Sequence, residues 1–415
     1  MAGEPGSRNV RPAQRFPRLA HNQEAKIPND IGLGTFSRFC GKVMLGSPMR
    51  RDVSRSAPAA CDDRFLMTNP FAERCVLLTG AGGSIGSALA KAILRQNPRS
   101  LILLDHSESH LHQIDFDLSS LPGGQVRSPV LGDVGDDALL AELFEERKPE
   151  IVIHAAAFKQ VPLMERNPIA AVRNNAIGTN MLAQAAQRYE VAMFVMLSTD
   201  KAVNPHSVMG ASKRVAELAL LRWSSSRSPM RAVRLGNVYG SQGSVVPAFL
   251  QQISTAGPVT VAHPGVNRYF LSMDEAVELA LLAARLAGGG GILIPPLGEP
   301  VRILDLARQL IKEAGLQPGD DIPIVMTGLR PGDKMAEQIV SDHESLDPAD
   351  NGKLRLVKTP QPSHEQFDTA MAAIEESAAR RDVAGVLEQL CRLVPEYRPS
   401  EVVLASARAP QPSAL

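Results

Sequence analysis

The chain has 415 residues, 44% hydrophobic and 21% charged, the make-up of a globular protein long enough for two cores or one core with an attached lobe. Its 44 basic and 44 acidic side chains cancel to a formal net charge of zero, so neither nucleic acid nor an anionic membrane surface is expected as the main partner. No apolar run reaches the roughly 18–20 residues that span a bilayer. Cys40, Cys61, Cys75 and Cys391 show no C-x-x-C pair and no metal-ligand spacing, which points to a reducing, cytoplasmic setting without a metal site.

Residues 1–68 mix Arg, Ser, Pro and Gly with sparse apolar positions and no sustained period, and are expected to be a disordered segment rather than a packed domain. Glu4, Glu24, Asp30, Asp52, Asp62 and Asp63, with no apolar stretch among them, argue against a targeting presequence; a start at Met67 is a further reading.

From Arg74 the pattern changes. "CVLLTGAGGSIGSALAKAIL" reads as strand, glycine turn and amphipathic helix; "SLILLD", "IVIHAAA", "MFVMLST" and "AVRLGNV" read as further strands between helical stretches. Such alternation predicts an α/β fold with a doubly wound parallel sheet over 69–236. Residues 237–404, with irregular Gly-Ser and Pro punctuation, the helices "SMDEAVELALLAARLAGG" and "ILDLARQLIKEAG" and the turn "GLRPGDK", read as a smaller mixed substrate lobe. Residues 405–415 read as a loose tail, and there is no internal repeat.

Gly80, Gly83 and Gly86 form G-x-x-G-x-x-G between strand and helix, where bare backbone can approach a pyrophosphate and the helix amino end offers oriented N–H groups. The spacing G-x-G-x-x-G from Gly80 fails, because Ile85 holds its third place. Asp105 closes the second strand about 20 residues on, where a carboxylate meets adenosine ribose hydroxyls, which favours NAD over NADP. Asp133 ends a third strand, facing an adenine amino group or capping a helix. "STDK" places Thr199, Asp200 and Lys201 side by side at a strand end, and Lys213 stands one helical turn after Met209 on the same side.

Taken together, "LLTGAGGSIGS", "IVIHAAAFKQVPLMERNP", "STDKAVNPHSVMGASKR", "VRLGNVYGSQGSVVPAF", "RYFLSMDEAVELAL", "LGEPVRILDLA" and "GLRPGDK" resemble the extended short-chain dehydrogenase/reductases, and within them the nucleotide-sugar 4,6-dehydratases of capsule and polysaccharide biosynthesis. The likeness runs from about residue 74 to 399 and is to the soluble catalytic portion of larger members that carry membrane helices. It implies NAD, a UDP-N-acetylglucosamine-type substrate, a 4-keto-6-deoxy product and assembly as a homo-oligomer.

By the same resemblance Asp200 is the proton donor to the departing 6-hydroxyl, Lys201 the base at C5, Lys213 the contact to the nicotinamide ribose, and Thr199 the contact to the C4 oxygen. Thr79, Ser84, Ile85, Ala155, Ala156 and Lys159 would line the cofactor. Lys159, Glu165, Asn175, Asn237, Ser241, Arg268 and Arg330 would hold the nucleotide sugar, a guanidinium suiting a diphosphate. The bland alternatives are a solvated helix start for Glu165, backbone contacts for the asparagines and surface ion pairs for the arginines. An acid carboxyl and a free amine near neutrality both require shifted pKa values, which burial beside a ligand would supply.

Met209 stands where most relatives carry a catalytic tyrosine, and a thioether cannot move a proton. The resemblance assigns it to a methionine-containing branch that retains configuration at C5. Gln160 and Gln242 replace a usual histidine and arginine, and "GILIPPLGEP" is unusually proline-rich. A nucleotide-sugar epimerase and a catalytically silent NAD-binding partner in a polysaccharide assembly remain the alternatives.

Overall fold

The computed structural model describes residues 69–408 except 297 and 350–352, so the expectations for residues 1–68 and 409–415 lie outside the described residues. Six strands follow one another with helices between them: β1 Cys75–Thr79, β2 Ser100–Asp105, β3 Arg127–Leu131, β4 Ile151–His154, β5 Met193–Thr199 and β6 Met230–Leu235. Three more, β7 Gly291–Ile294, β8 Ser345–Pro348 and β9 Arg355–Lys358, complete one sheet in the order β8-β9-β7-β6-β5-β4-β1-β2-β3. All neighbours are parallel from β7 to β3, while β9 runs antiparallel to β7 and β8 antiparallel to β9. The doubly wound sheet is therefore present, extended across the expected boundary at residue 237 by three strands.

Strands buried on both faces must be apolar on both faces, and β1 is buried at every position. Val76 and Leu78 join one apolar cluster with Leu89 and Ile93 of helix α1 (Ser84–Leu94), whereas Leu77 joins the opposite cluster with Leu104 at the end of β2. Helices α2 (Glu108–Ser119), α3 (Val161–Arg166) and α4 (Gly178–Arg188) follow β2 and β4.

Helix α5 (Val208–Trp223) is buried from Val208 to Leu220 and is sandwiched. Its Ala216 and Leu220 meet the sheet cluster, while Val215 and Leu218 belong to a third cluster with Phe367 and Ile374 of α7 (His364–Ala379) and Leu387 of α8 (Val383–Leu393). Helix α6 (Met273–Arg285) opens on a Ser272/Glu275 capping box and covers the other face near α1. Helix α9 (Glu401–Arg408) buries Val403, so residues 405–408, expected in a loose tail, finish a helix. Among the described residues no helix is long and apolar enough to cross a membrane.

Candidate active site

The sheet order reverses between β1 and β4, and the carboxyl ends of these strands form the crevice where doubly wound sheets take ligands. Gly80 follows β1 at φ +63°, and a Cβ there would lie 2.6 Å from the backbone nitrogen of Ala156. A Cβ on Gly86 would lie 1.9 Å from the Gly80 carbonyl oxygen, so the turn closes this tightly only with glycine at both places. Helix α1 starts after Gly83 with no side-chain cap and no acid in its first turn, leaving its amino end suited to an anion. A glycine cradle of this shape fits a dinucleotide pyrophosphate.

The surrounding residues are used in more than one way. Asp105 accepts the Gly82 N–H on Oδ2 and the Ser107 N–H on Oδ1, both at 2.9 Å, which fixes the turn and leaves each oxygen a further acceptor site. Ala155 donates its N–H to Thr79 O, and the Ser84 hydroxyl accepts the Gln242 N–H at 3.0 Å, laying "GSQGS" across the start of α1. Ile85 packs against the sheet cluster.

Thr79 is fully buried, with Oγ1 2.7 Å from His154 Nδ1, while His154 Nε2 lies 2.8 Å from Thr179 Oγ1. Burial, then the nearby Lys213 charge, lowers the His154 pKa to about 3. Asp133 lies beyond β3 and accepts the Gly135 N–H; the helix cap is Asp136, bound to Leu139 N–H at 3.1 Å, so the capping alternative for Asp133 fails.

At the end of β5 the three expected residues come together. Thr199 Oγ1 donates to Asp200 Oδ1 at 2.9 Å, and Lys201 Nζ donates to the same oxygen at 2.9 Å and to Asn237 Oδ1 at 3.0 Å. Asp200 is fully buried, and its Oδ2 has no hydrogen-bond partner among the described residues. Desolvation pulls the Lys201 pKa down, but the carboxylates of Asp200 and Glu337 outweigh it and hold the ammonium above the ordinary lysine range. Here Lys201 is therefore one half of an ion pair, its ammonium favoured rather than its free amine. Lys159, on the loop after β4, has its pKa lowered by partial desolvation and then by the like charge of Lys201.

Helix α5 docks its first turn on this pair. Ser207 caps it through the Gly210 N–H, and a Cβ at Gly210 would stand 2.3 Å from the Lys201 carbonyl oxygen. Lys213 is buried, donates to Leu197 O at 2.9 Å, and is lowered by burial to about 8 despite the opposing pull of Glu217. Met209, one turn earlier, is 2% exposed and belongs to the apolar cluster that includes Val161 and Met164.

Several expected sugar contacts are already engaged. Asn175 braces the loop after β4, accepting the Phe158 N–H and donating to Phe158 O and Ser212 Oγ, the backbone alternative. Glu165 is neither solvated nor open: it is 1% exposed, accepts the Val208 N–H at 2.7 Å and bonds the Ser400 hydroxyl, and burial raises its pKa. The Ser241 hydroxyl turns back to Val238 O. Arg268 spends its guanidinium on the carbonyls of Asn267, Lys334 and Met335, whereas Arg330 is exposed and pairs with Asp333 at 2.8 Å. A Cβ at Gly243 would strike the Gln160 amide at 2.2 Å, so Gln160 closes against the "GSQGS" turn.

Two groups of charges were missed from sequence. Lys334 and Glu337 stand behind Lys201, joined at 3.2 Å. Below the pair, Arg234 of β6 binds both oxygens of Glu217 and both of Glu344, and Ser198, next to Thr199, donates to Glu217 at 2.7 Å. Arginine in an otherwise apolar strand was a readable signal, since such a charge needs a buried partner.

The sequence matches the family described as polysaccharide biosynthesis protein over residues 76–359. It is 45% identical over 285 residues to the capsular polysaccharide biosynthesis protein CapD of Staphylococcus aureus, covering 68% of this chain but 47% of that one, so the chain spans about half the length of this relative. Two relatives at 30% identity carry different reactions in their names. One is a UDP-glucose 4-epimerase of Rickettsia prowazekii, with 68% of this chain and 82% of that one covered. The other is the UDP-N-acetylglucosamine 4,6-dehydratase (inverting) of Campylobacter jejuni, with 66% and 80% covered. Among solved structures, that of Pen from Bacillus thuringiensis aligns with a TM-score of 0.63 at 27% identity, over 71% of this chain and 89% of that one.

Proposed function

The chain belongs to the polysaccharide biosynthesis protein family, and on that premise we propose that it is an NAD-dependent nucleotide-sugar 4,6-dehydratase acting on a UDP-N-acetylglucosamine-type substrate. The observation that carries this reading is the Asp200–Lys201 pair, bonded at 2.9 Å beside the glycine cradle. Elimination across C5 and C6 needs an acid and a base besides whatever group handles the C4 hydroxyl proton, whereas epimerisation at C4 needs only that group. Asp200 and Lys201 supply both from one strand end, and moving a single proton from Lys201 Nζ to Asp200 Oδ1 yields the free amine and the neutral acid without changing the pair's net charge.

Gly80, Gly83, Ser84, Ile85 and Gly86 would hold the pyrophosphate, Asp105 the adenosine ribose, Asp133 the adenine side, Ala155 and Ala156 the cofactor flank, and Lys213 the nicotinamide ribose. The Asp105 carboxylate repels a 2′-phosphate, which favours NAD over NADP. When bound there, the dinucleotide would supply the hydride acceptor for C4 and the hydride donor for C6.

The chain's own residues move the protons. Lys201 takes the C5 proton while Asp200 protonates the departing 6-hydroxyl. Lys201 then returns a proton to the face of C5 from which it took one, which keeps the configuration, in contrast with the inverting relative. The proton released from the C4 hydroxyl when C4 is oxidised leaves by way of Thr199 to solvent, and one proton taken back from solvent after turnover restores Lys201 as the ammonium paired with Asp200, whose Oδ1 is 2.9 Å from Thr199 Oγ1. Met209 takes no part in these transfers.

The test is to incubate the purified chain with NAD and UDP-N-acetylglucosamine in heavy water. The expected product has lost one water and carries deuterium at C5. A product of unchanged formula would assign an epimerase, and no conversion of any UDP-sugar would leave a silent NAD-binding partner.

A further inference from the structure

The segment Pro331–Glu337 closes over the back of the acid–base pair and carries a buried carboxylate held by two ion pairs. Glu337 is 6% exposed, with Oε2 at 3.2 Å from Lys334 Nζ and Oε1 at 3.8 Å from Arg268 Nε. Lys334 Nζ donates to Val203 O at 2.7 Å, and the Val203 N–H returns to Asp200 O at 3.2 Å, so the chain of contacts ends on the turn that carries Asp200 and Lys201. Arg268 binds the carbonyls of Lys334 and Met335, and the Asn267 N–H binds Met335 O at 3.1 Å, which holds the segment from the other side.

The buried charges around Lys201 are therefore two carboxylates, Asp200 and Glu337, against the cations Lys334 and Arg268. Lys159 adds a positive neighbour from the loop after β4, while His206, on the loop before α5, feels the charges of Lys334 and Glu337, and that of Arg398. Without Glu337, Lys201 would keep one counter-charge among several like charges.

We propose that Glu337 is a positioning residue that keeps the shared proton on Lys201 until a nucleotide sugar enters, with Lys334 and Arg268 setting how strongly it does so. The step it governs is the transfer of one proton from Lys201 Nζ to Asp200 Oδ1, an N–H bond broken and an O–H bond formed with no other reactant. The inference builds on the dehydratase reading, but what it asserts of Lys201 can be measured without turnover. Close burial and the ties to Lys334 and Arg268 allow Glu337 no other obvious office than this or simple packing.

Competitive labelling of the full chain with acetic anhydride at fixed alkaline pH, read by peptide mass spectrometry, reports the fraction of Lys201 present as free amine. Glu337→Gln should speed Lys201 labelling about tenfold, the effect of one unit in pKa from the loss of one neighbouring charge. Glu337→Asp should label like the wild type. Lys334→Met should slow labelling by about twofold or more, because a like charge is removed and Glu337 is freed to act on Lys201.

A packing role predicts changes of the same sign in Glu337→Gln and Lys334→Met, and that result, or no change in either, overturns the proposal. If Glu337→Gln does not fold, Lys334→Met decides alone: slower labelling supports the proposal, and unchanged or faster labelling overturns it. Absence of water loss by the wild-type enzyme would sink the dehydratase reading while leaving the Lys201 labelling fully readable.

Discussion

Two buried clusters of charge lie a few residues apart along β5 and α5, and they are built to opposite ends. In the first, Arg234 meets Glu217 through Nε and Nη2 and Glu344 through Nη1 and Nη2, with all four distances between 2.7 and 2.8 Å, and Arg214 and Ser198 fill the remaining acceptor sites of Glu217. In the second, a lysine meets an aspartate whose one oxygen accepts two donors and whose other oxygen, among the described residues, accepts none. A planar guanidinium saturates a carboxylate and fixes it, whereas a point-charge ammonium leaves acceptor capacity over. One cluster is a brace and the other has room for a proton and a ligand atom.

That contrast predicts separable losses. The largest is expected for Asp200→Asn, which keeps the shape and acceptor of the side chain but removes the acid: turnover should fall by about 10²–10⁴-fold, the usual worth of a general acid or base, with little change in thermal midpoint. Product assays beside a thermal scan check it, and retained turnover would remove the chemistry from "TDK".

Next comes Arg234→Met, which leaves Glu217 and Glu344 buried without their common cation and should cost about 3–5 kcal/mol of stability in urea unfolding. The acid side of the stability profile should change with it. Burial pushes the Glu217 pKa up, but Arg234 above all, with Arg214 and Ser198, holds it down to about 2 against an ordinary value of 4.5. A depressed carboxylate contributes stability that is present above its ordinary value and is lost as pH falls from there through the folded value. The wild type should therefore lose stability between pH 4.5 and 2, and Arg234→Met should show a flatter profile in that window.

The smallest effect belongs to Met209→Tyr. At a position 2% exposed in a filled apolar cluster, the larger ring should cost about 1–3 kcal/mol through overpacking and bring no gain in turnover. A clear rise in rate would show that position 209 still has a share in the proton chemistry.

What could be read from sequence was whatever neighbours in the chain determine. The glycine turn, the strand pattern and the adjacency of Thr199, Asp200 and Lys201 are local, and the structure has them where the pattern puts them. The engagement of Glu165 by Ser400, of Arg268 by the carbonyls at 334 and 335, and of Arg234 by Glu344 joins residues 235, 66, 67 and 110 positions apart, and no local period encodes such partners. The same reason applies in part to Lys201: burial lowers its pKa and the adjacent Asp200 raises it, but the second carboxylate that raises it, Glu337, is one that only the fold brings near. Arg234 and Glu217 could have been flagged as charges inside apolar elements, though not paired.

The contact between Glu165 and Ser400 also orders events in time. Glu165 anchors the first N–H of α5, and its other oxygen is satisfied by a hydroxyl 235 residues downstream, while Arg398 N–H holds Pro205 O in the loop that leads into α5. The sheet can assemble from strands that emerge early from the ribosome. The loop and helix start beside Lys201 gain these hydrogen bonds only once residues 398–400 have been made, so competence for chemistry must follow synthesis of a segment about 200 residues beyond Lys201.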